Sequence, residues 1–245
     1  MSNPRRRASV WRGMRTNTSV APLRDGTPLR SLIVSLTALL STFLTLAACS
    51  SSEGQDRDER AGSPAAPPVP AGRAEAIFAG GCFWCMEAPF EALRGVESVT
   101  SGYTGGRERA PTYGQVSSGA TGHAEAVRVI FDPAQITYAR LLEVYWRNVD
   151  PTQAGGQFCD HGEQYRTAIF VVDAEQRRLA TASRAEAART LGRRIVTPIE
   201  GATTFWVAED DHQDFYRTNP TRYRSYRAGC GRDARLRELW GASAR

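Results

Sequence analysis

The stretch "EAIFAGGCFWCMEAPFEAL", residues 75–93, organises the reading of this chain. "EAIFAG" (75–80) is a short apolar run closed by two glycines, the pattern of a buried strand that ends in a turn. From Phe83 to Leu93 the apolar residues Phe83, Met86, Phe90 and Leu93 recur at three- and four-residue spacing, which predicts a helix. Pro89 inside it predicts a kink or an irregular first turn. Strand, Gly-Gly turn and helix place Cys82 at the helix mouth. Unpaired N–H groups and the helix dipole favour an anion there, and a cysteine so placed drops from a pKa of ~8.5 towards ~4–7. Cys85 follows at i,i+3, on the same helix face. Spacing alone leaves three readings open: a metal knuckle, a redox pair, or one nucleophile beside a buried small residue.

Outward from this stretch, "GVESVTSGY" (95–103) reads as a strand and residues 104–122, rich in Gly, Thr and Ser, as a long loop. "HAEAVRVIF" (123–131) reads as a strand with one wet face, 137–149 as a helix, 166–172 as a buried strand and 174–191 as an Ala-rich helix. "IVTPIE" and "TFWVAE" predict short strands. "DDHQDFY" predicts a short helix stopped by Asn219-Pro220, and residues 233–240 a last small helix. Strands and helices mix around one sheet without a regular βαβ series. The expectation is a single α+β domain: a mixed sheet with flanking helices, a two-layer sandwich with a ferredoxin-like core.

The chain has 245 residues and a formal charge of +5. Seven Arg and a single acid fall within residues 1–48, and the remainder is close to neutral, so the basic character belongs to the leader. Nothing in the body forms a basic footprint, which argues against nucleic acid as a partner. Every basic residue is Arg, which we attribute to biased base composition. The run "LIVSLTALLSTFLTLAA" (32–48) suits a secretory h-region better than a membrane span. "LAAC" (46–49) resembles the bacterial lipoprotein signal, which implies cleavage before Cys49, lipidation of its sulfur and an anchor in the cell envelope facing the periplasm. A plain signal peptide or a single anchor helix would give the same topology. Residues 50–73, all Pro, Gly, Ser and charge with little to bury, read as a flexible tether. The organisation is then 1–48 signal peptide, 49–73 lipidated cysteine and linker, and 74–245 catalytic domain.

The blocks "GCFWCMEAPF" (81–90), "GYTGG" (102–106), "PTYGQV" (111–116), "SGATGHAEAVRVIFDP" (118–133) and "QFCDHGEQYRTAIF" (157–170), in that order, resemble the peptide methionine sulfoxide reductase A family from about Ala74 to Trp240. The resemblance implies reduction of the S epimer of methionine sulfoxide, free or in proteins, through a cysteine sulfenic acid and an intramolecular disulfide. No cofactor is bound, and an external dithiol, thioredoxin or a thioredoxin-like envelope reductant, restores the enzyme. By position it makes Cys82 the nucleophile and Glu125 the acid. Tyr113 and Tyr165 become the hydroxyls at the sulfoxide oxygen, Asp160 their support, and Phe83 and Trp84 the cradle of the S-methyl group.

The chemistry is coherent. A thiolate is a soft, strong nucleophile towards sulfur. The departing oxygen needs protons, which a carboxyl supplies if burial lifts its pKa towards neutral, and phenolic O–H groups stabilise charge on that oxygen. Aromatic rings attract a thioether by ~0.3–1.5 kcal/mol. Cys230, in "RAGCGRDARL", is our expected resolving cysteine on the strength of its flanking glycines and a matching C-terminal cysteine in the family. Cys85 and Cys159 are the less favoured candidates. The rival readings are a thioredoxin-like oxidoreductase using C-x-x-C, a zinc site of Cys82, Cys85, Cys159 and His161, and a non-catalytic envelope lipoprotein.

Overall fold

The structure is a computed structural model that describes residues 62–241. The expected signal peptide, Cys49 and the first half of the tether lie outside them. Four long strands form the centre of the sheet: β1 (Ala74–Gly80), β2 (Val96–Thr104), β3 (Ala124–Phe131) and, later in the chain, β6 (Thr167–Val171). Their spatial order is β6-β1-β3-β2, with every neighbouring pair antiparallel. Helix α1 (Trp84–Glu91) joins β1 to β2, and β3 lies between those two strands. This is the split βαβ arrangement of a ferredoxin-like core. Two short strands extend the edges, β7 (Ile199–Gly201) parallel to β6 and β8 (Trp206–Val207) antiparallel to β2. A separate hairpin pairs β4 (Gly156–Gln157) with β5 (Asp160–His161). The remaining helices are α2 (Tyr113–Ser117), α3 (Tyr138–Arg147), α4 (Ala174–Leu191), α5 (Phe215–Thr218), α6 (Pro220–Gly229) and α7 (Arg232–Trp240).

Alternation along β1 splits the core. Ala76 and Phe78 face the helices, where Phe78 stacks on Phe90 and Tyr145 with ring centroids 5.1 and 5.0 Å apart. Ile77 and Ala79 face the other side, with Ala124, Ala126 and Phe170. Among the described residues no helix contributes to that second cluster. Residues 63–67 and Phe205 cover it: Ser63 and Ala66 donate backbone bonds to Pro111 and Phe205, and Arg128 reaches the Pro67 carbonyl at 2.8 Å. Two expectations fall with this. The last part of the expected tether is packed against the sheet edge, because Val207 donates to the Pro64 carbonyl and Ala65 bridges Trp206. And β3 has no wet face: all eight of its residues are buried, Arg128 by pairing with Glu75 at 2.6 Å.

The loop expected over 104–122 contains α2, started by a capping box in which Thr112 and Gln115 satisfy each other's backbone N–H groups. Asn219-Pro220 stops one helix, as expected, and also opens the next: Asn219 caps the end of α5 and Pro220 starts α6. Proline at a first helical position lacks only an N–H that has no partner there anyway. Of "TFWVAE" only Trp206–Val207 is strand, and of "IVTPIE" only its end beyond Pro198.

Candidate active site

Cys82 sits where β1 turns into α1. Gly80 and Gly81 make that turn for steric reasons. A Cβ on Gly80 would lie 2.6 Å from the Met86 sulfur, and Gly81 has φ +82° with Gln157 packed against it. The first turn of α1 is tight, with Cys85 N–H bonded to the Cys82 carbonyl at 3.1 Å and Met86 N–H to the Phe83 carbonyl at 2.9 Å. This is the irregular first turn that the sequence allowed. Pro89 lies inside the helix, where it has no N–H to offer.

A cleft of 80 Å³ opens above Cys82, and all seven residues expected around it line its walls: Phe83, Trp84, Tyr113, Glu125, Asp160 and Tyr165 join the cysteine. They come from five separate elements. Glu125, from the middle sheet strand β3, is 2% exposed and accepts a bond from the Phe83 N–H at 3.1 Å. Burial pushes its pKa up to about 8, against the pull of that bond, so the carboxyl is protonated at neutral pH. This meets the condition that an acid role set on it. Tyr113 opens α2, its N–H held by Glu209 at 2.7 Å, and burial lifts its phenol to about 12. Tyr165 ends a single 3₁₀ turn (Glu163–Tyr165), and its phenol is raised chiefly by burial. Asp160 accepts a hydrogen bond from Tyr226, and burial raises its carboxyl.

Cys82 departs from expectation in its charge. The thiol is 6% exposed; burial first, then the facing Cys85 sulfur and the Glu125 carboxyl, hold its pKa well above the ordinary value. The helix mouth does not ionise it, because loss of water outweighs the partial charge of a short helix. Cys82 rests as a thiol beside a protonated acid.

Four contributors escaped the sequence reading. Tyr226, on α6, lines the cleft and bonds Asp160. His212, in a 3₁₀ turn (Asp210–His212), accepts the Trp84 indole N–H on Nδ1 at 3.2 Å and packs on Tyr113 with centroids 4.2 Å apart. Burial keeps this imidazole neutral. Glu209 holds both Tyr113 and, at 2.7 Å, the Tyr103 hydroxyl, and Phe215 stacks on Trp84 at 3.7 Å. The clustered acids and His of "AEDDHQDFY" were a visible signal; the helical spacing from Tyr226 to Cys230 was another.

The expected mobile end is ordered. Cys230 caps α6, is followed by α7, and is disulfide-bonded to Cys159, with 4.9 Å between Cα atoms. Cys82 and Cys85 are free and buried. The zinc set is not assembled, since Cys159 is bonded to Cys230 and His161 is exposed. Among the described residues the only cluster of candidate ligands is Cys159, Asp160 and Cys230, two of which are that disulfide. A larger groove of 640 Å³ between α3, α4 and Trp240 contains no thiol, and its acids Glu143 and Glu186 pair with Arg140 and Arg189. The small cleft holds the chemistry.

A family model for peptide methionine sulfoxide reductase matches residues 74–244. The Caulobacter vibrioides peptide methionine sulfoxide reductase MsrA 2 is 53% identical over 178 residues, 72% of this chain and 90% of its own length. A Streptococcus agalactiae MsrA is 56% identical over 167 residues, 67% of this chain and 98% of its own. Among solved structures, reduced Mxr1 from Saccharomyces cerevisiae aligns with a TM-score of 0.61 at 29% identity, covering 63% of this chain and 90% of that one. Methionine sulfoxide reductase A of Corynebacterium diphtheriae gives 0.56 at 29% identity, covering 67% and 90%. The chain belongs to the peptide methionine sulfoxide reductase A family, whose reaction is reduction of the S epimer of methionine sulfoxide by way of a disulfide.

Proposed function

We propose that Cys82 is the nucleophile of this reductase and Glu125 its acid, within an apolar cleft that admits the sulfoxide end of oxidised methionine. The observation that carries the reading is a carboxyl 2% exposed, bonded to the backbone beside Cys82 and protonated near neutral pH. The S-methyl group lies against Phe83 and Trp84, whose indole His212 and Phe215 hold in place. Tyr113 and Tyr165 donate to the oxygen. As Cys82 Sγ attacks the substrate sulfur, the thiol proton and the Glu125 proton pass to that oxygen. Methionine leaves, Cys82 keeps the oxygen as a sulfenic acid with one of the two protons, and the other returns to Glu125. A second thiol then displaces the oxygen as water with its own hydrogen. Asp160 and Tyr226 hold one wall of the cleft through their hydrogen bond. Cys230 carries the oxidation outward to its bond with Cys159, where exposed Cys159 offers the disulfide to thioredoxin or a thioredoxin-like dithiol.

Cys49 is lipidated after export in this reading, and the domain works tethered in the cell envelope, supplied by a reductant on that side. The support is the position of "LAAC" at the end of the apolar run 32–48. Among the described residues no helix is long and apolar enough to cross a membrane.

The catalytic reading is tested with each epimer of methionine sulfoxide and dithiothreitol. The S epimer should yield methionine and the R epimer none. Cys82→Ser should lose all turnover while keeping the circular dichroism of the parent; turnover by that variant would refute the assignment.

A further inference from the structure

Cys85 is a buried thiol for which the reaction above has no use. It is 1% exposed and lies one turn into α1, three residues on from the likewise buried, free Cys82. The backbone bond from Cys85 N–H to the Cys82 carbonyl closes a four-residue turn. Such turns keep the outer Cα atoms within about 7 Å, and disulfides span Cα separations of about 4.4–6.8 Å.

The surroundings of Cys85 are those of a reactive sulfur rather than an inert one. Two guanidiniums, Arg227 on α6 and Arg232 at the start of α7, bring positive charge to bear on it. Arg232 is 1% exposed. It bonds the Gly80 carbonyl at 3.0 Å, the Asn148 carbonyl at 2.7 Å and the Met86 sulfur at 3.1 Å, while its Nε has no partner. Among the described residues no carboxylate lies within salt-bridge distance of it. The hydrogen bond from Cys82 and then the two guanidiniums draw the Cys85 pKa down, against burial, in an electropositive setting of the kind that marks reactive cysteines.

We propose that Cys85 is the first resolving residue: its sulfur attacks the sulfenic acid of Cys82 before Cys230 takes part. The S–O bond of Cys82 breaks, a Cys82–Cys85 disulfide forms, and the oxygen leaves as water with the hydrogen of the Cys85 thiol. Two exchanges then lead to the bond seen in the structure. Cys230 attacks Cys82 Sγ and releases Cys85, and Cys159 attacks Cys230 and releases Cys82. Each exchange moves one disulfide and consumes no oxidant. The external dithiol reduces Cys159–Cys230. Attack falls on Cys82 because it is the member of the pair that lines the cleft. The inference rests on Cys82 being the nucleophile.

The test is a single turnover. The full chain carrying Cys159→Ser and Cys230→Ser is reduced, freed of reductant, given one equivalent of methionine (S)-sulfoxide and mapped by mass. One methionine and a Cys82–Cys85 disulfide are expected. Adding Cys85→Ser, or Cys85→Ala should the serine form fail to fold, should raise dimedone labelling of Cys82 at least tenfold. In the parent chain, rapid quenching should catch the Cys82–Cys85 bond rising and falling ahead of Cys159–Cys230. Methionine formed with equal dimedone labelling whether or not Cys85 is present would overturn the proposal. Absence of methionine altogether would instead overturn the catalytic reading beneath it.

Discussion

At the scale of the residue, Glu125 shows how little a side chain's type says about its state. In "AEAV" it looks like the outward residue of an alternating strand, and only the resemblance to a family singled it out. The structure buries both faces of β3, and burial lifts the carboxyl to about 8. An acid acts in its protonated form, so kcat/KM for the S epimer should fall as pH rises through about 8. Glu125→Gln keeps the shape but carries no transferable proton, and should lose roughly 10²–10⁴-fold in rate. The same shift has a stability consequence. A carboxyl whose folded pKa is raised favours the folded state fully only below its unfolded pKa, about 4.5, and that contribution is lost as pH climbs through 8. The melting temperature of Glu125→Gln should therefore gain on the parent between pH 4.5 and 8 and hold a constant lead above. Glu87, raised to about 7 by its own burial, is common to both proteins and drops out of the difference. A difference independent of pH would show that the carboxyl is not perturbed.

At the scale of the element, the β1–α1 turn joins fold and site. Gly81 sits at φ +82°, and a Cβ there would lie 2.6 Å from the Gln157 side chain. Gln157 is itself fixed by bonds to both backbone atoms of Asp150, each at 2.9 Å, so it cannot give way freely. Gly81→Ala should cost about 1–3 kcal/mol from backbone strain, read as a lower urea midpoint, and should reduce turnover by displacing Cys82. Unchanged midpoint and turnover would mean that the turn relaxes without moving the sulfur. The turn itself was legible in the sequence, because glycine pairs after an apolar run report local geometry. The long helices were legible for the same reason: α4 occupies the expected residues 174–191, with Asp173 capping one end and Gly192 in the left-handed region at the other. The short elements were not. Helix α2, the β4–β5 hairpin and α5 have too few residues to show a period, and tertiary contacts hold them.

At the scale of the whole molecule, the C-terminal helices complete the site. Helix α6 brings Tyr226 to the cleft and Cys230 to Cys159, and Arg232 at the head of α7 grips the Gly80 carbonyl beneath Cys82. The proposed anchor belongs to this scale too. In a bacterial host the full chain should partition into detergent and take up labelled fatty acid, and Cys49→Ala should abolish the label; a label that survived that change would rule out Cys49 as its site.

The sequence by itself determined the order of the principal elements, the placing of Cys82 between a strand and a helix, and the ordered motif blocks that tie the chain to its family. These depend on neighbours within a few residues, where periodicity and turn chemistry act. Only the tertiary structure decided that Glu125 is buried and protonated, that Cys82 rests as a thiol, that Cys230 bonds Cys159, and that Tyr226, His212 and Arg232 belong to the site. Those outcomes depend on which surfaces lose water and which sulfurs meet across 71 residues of chain. Desolvation and long-range contact are properties of the packed molecule, and no local pattern encodes them.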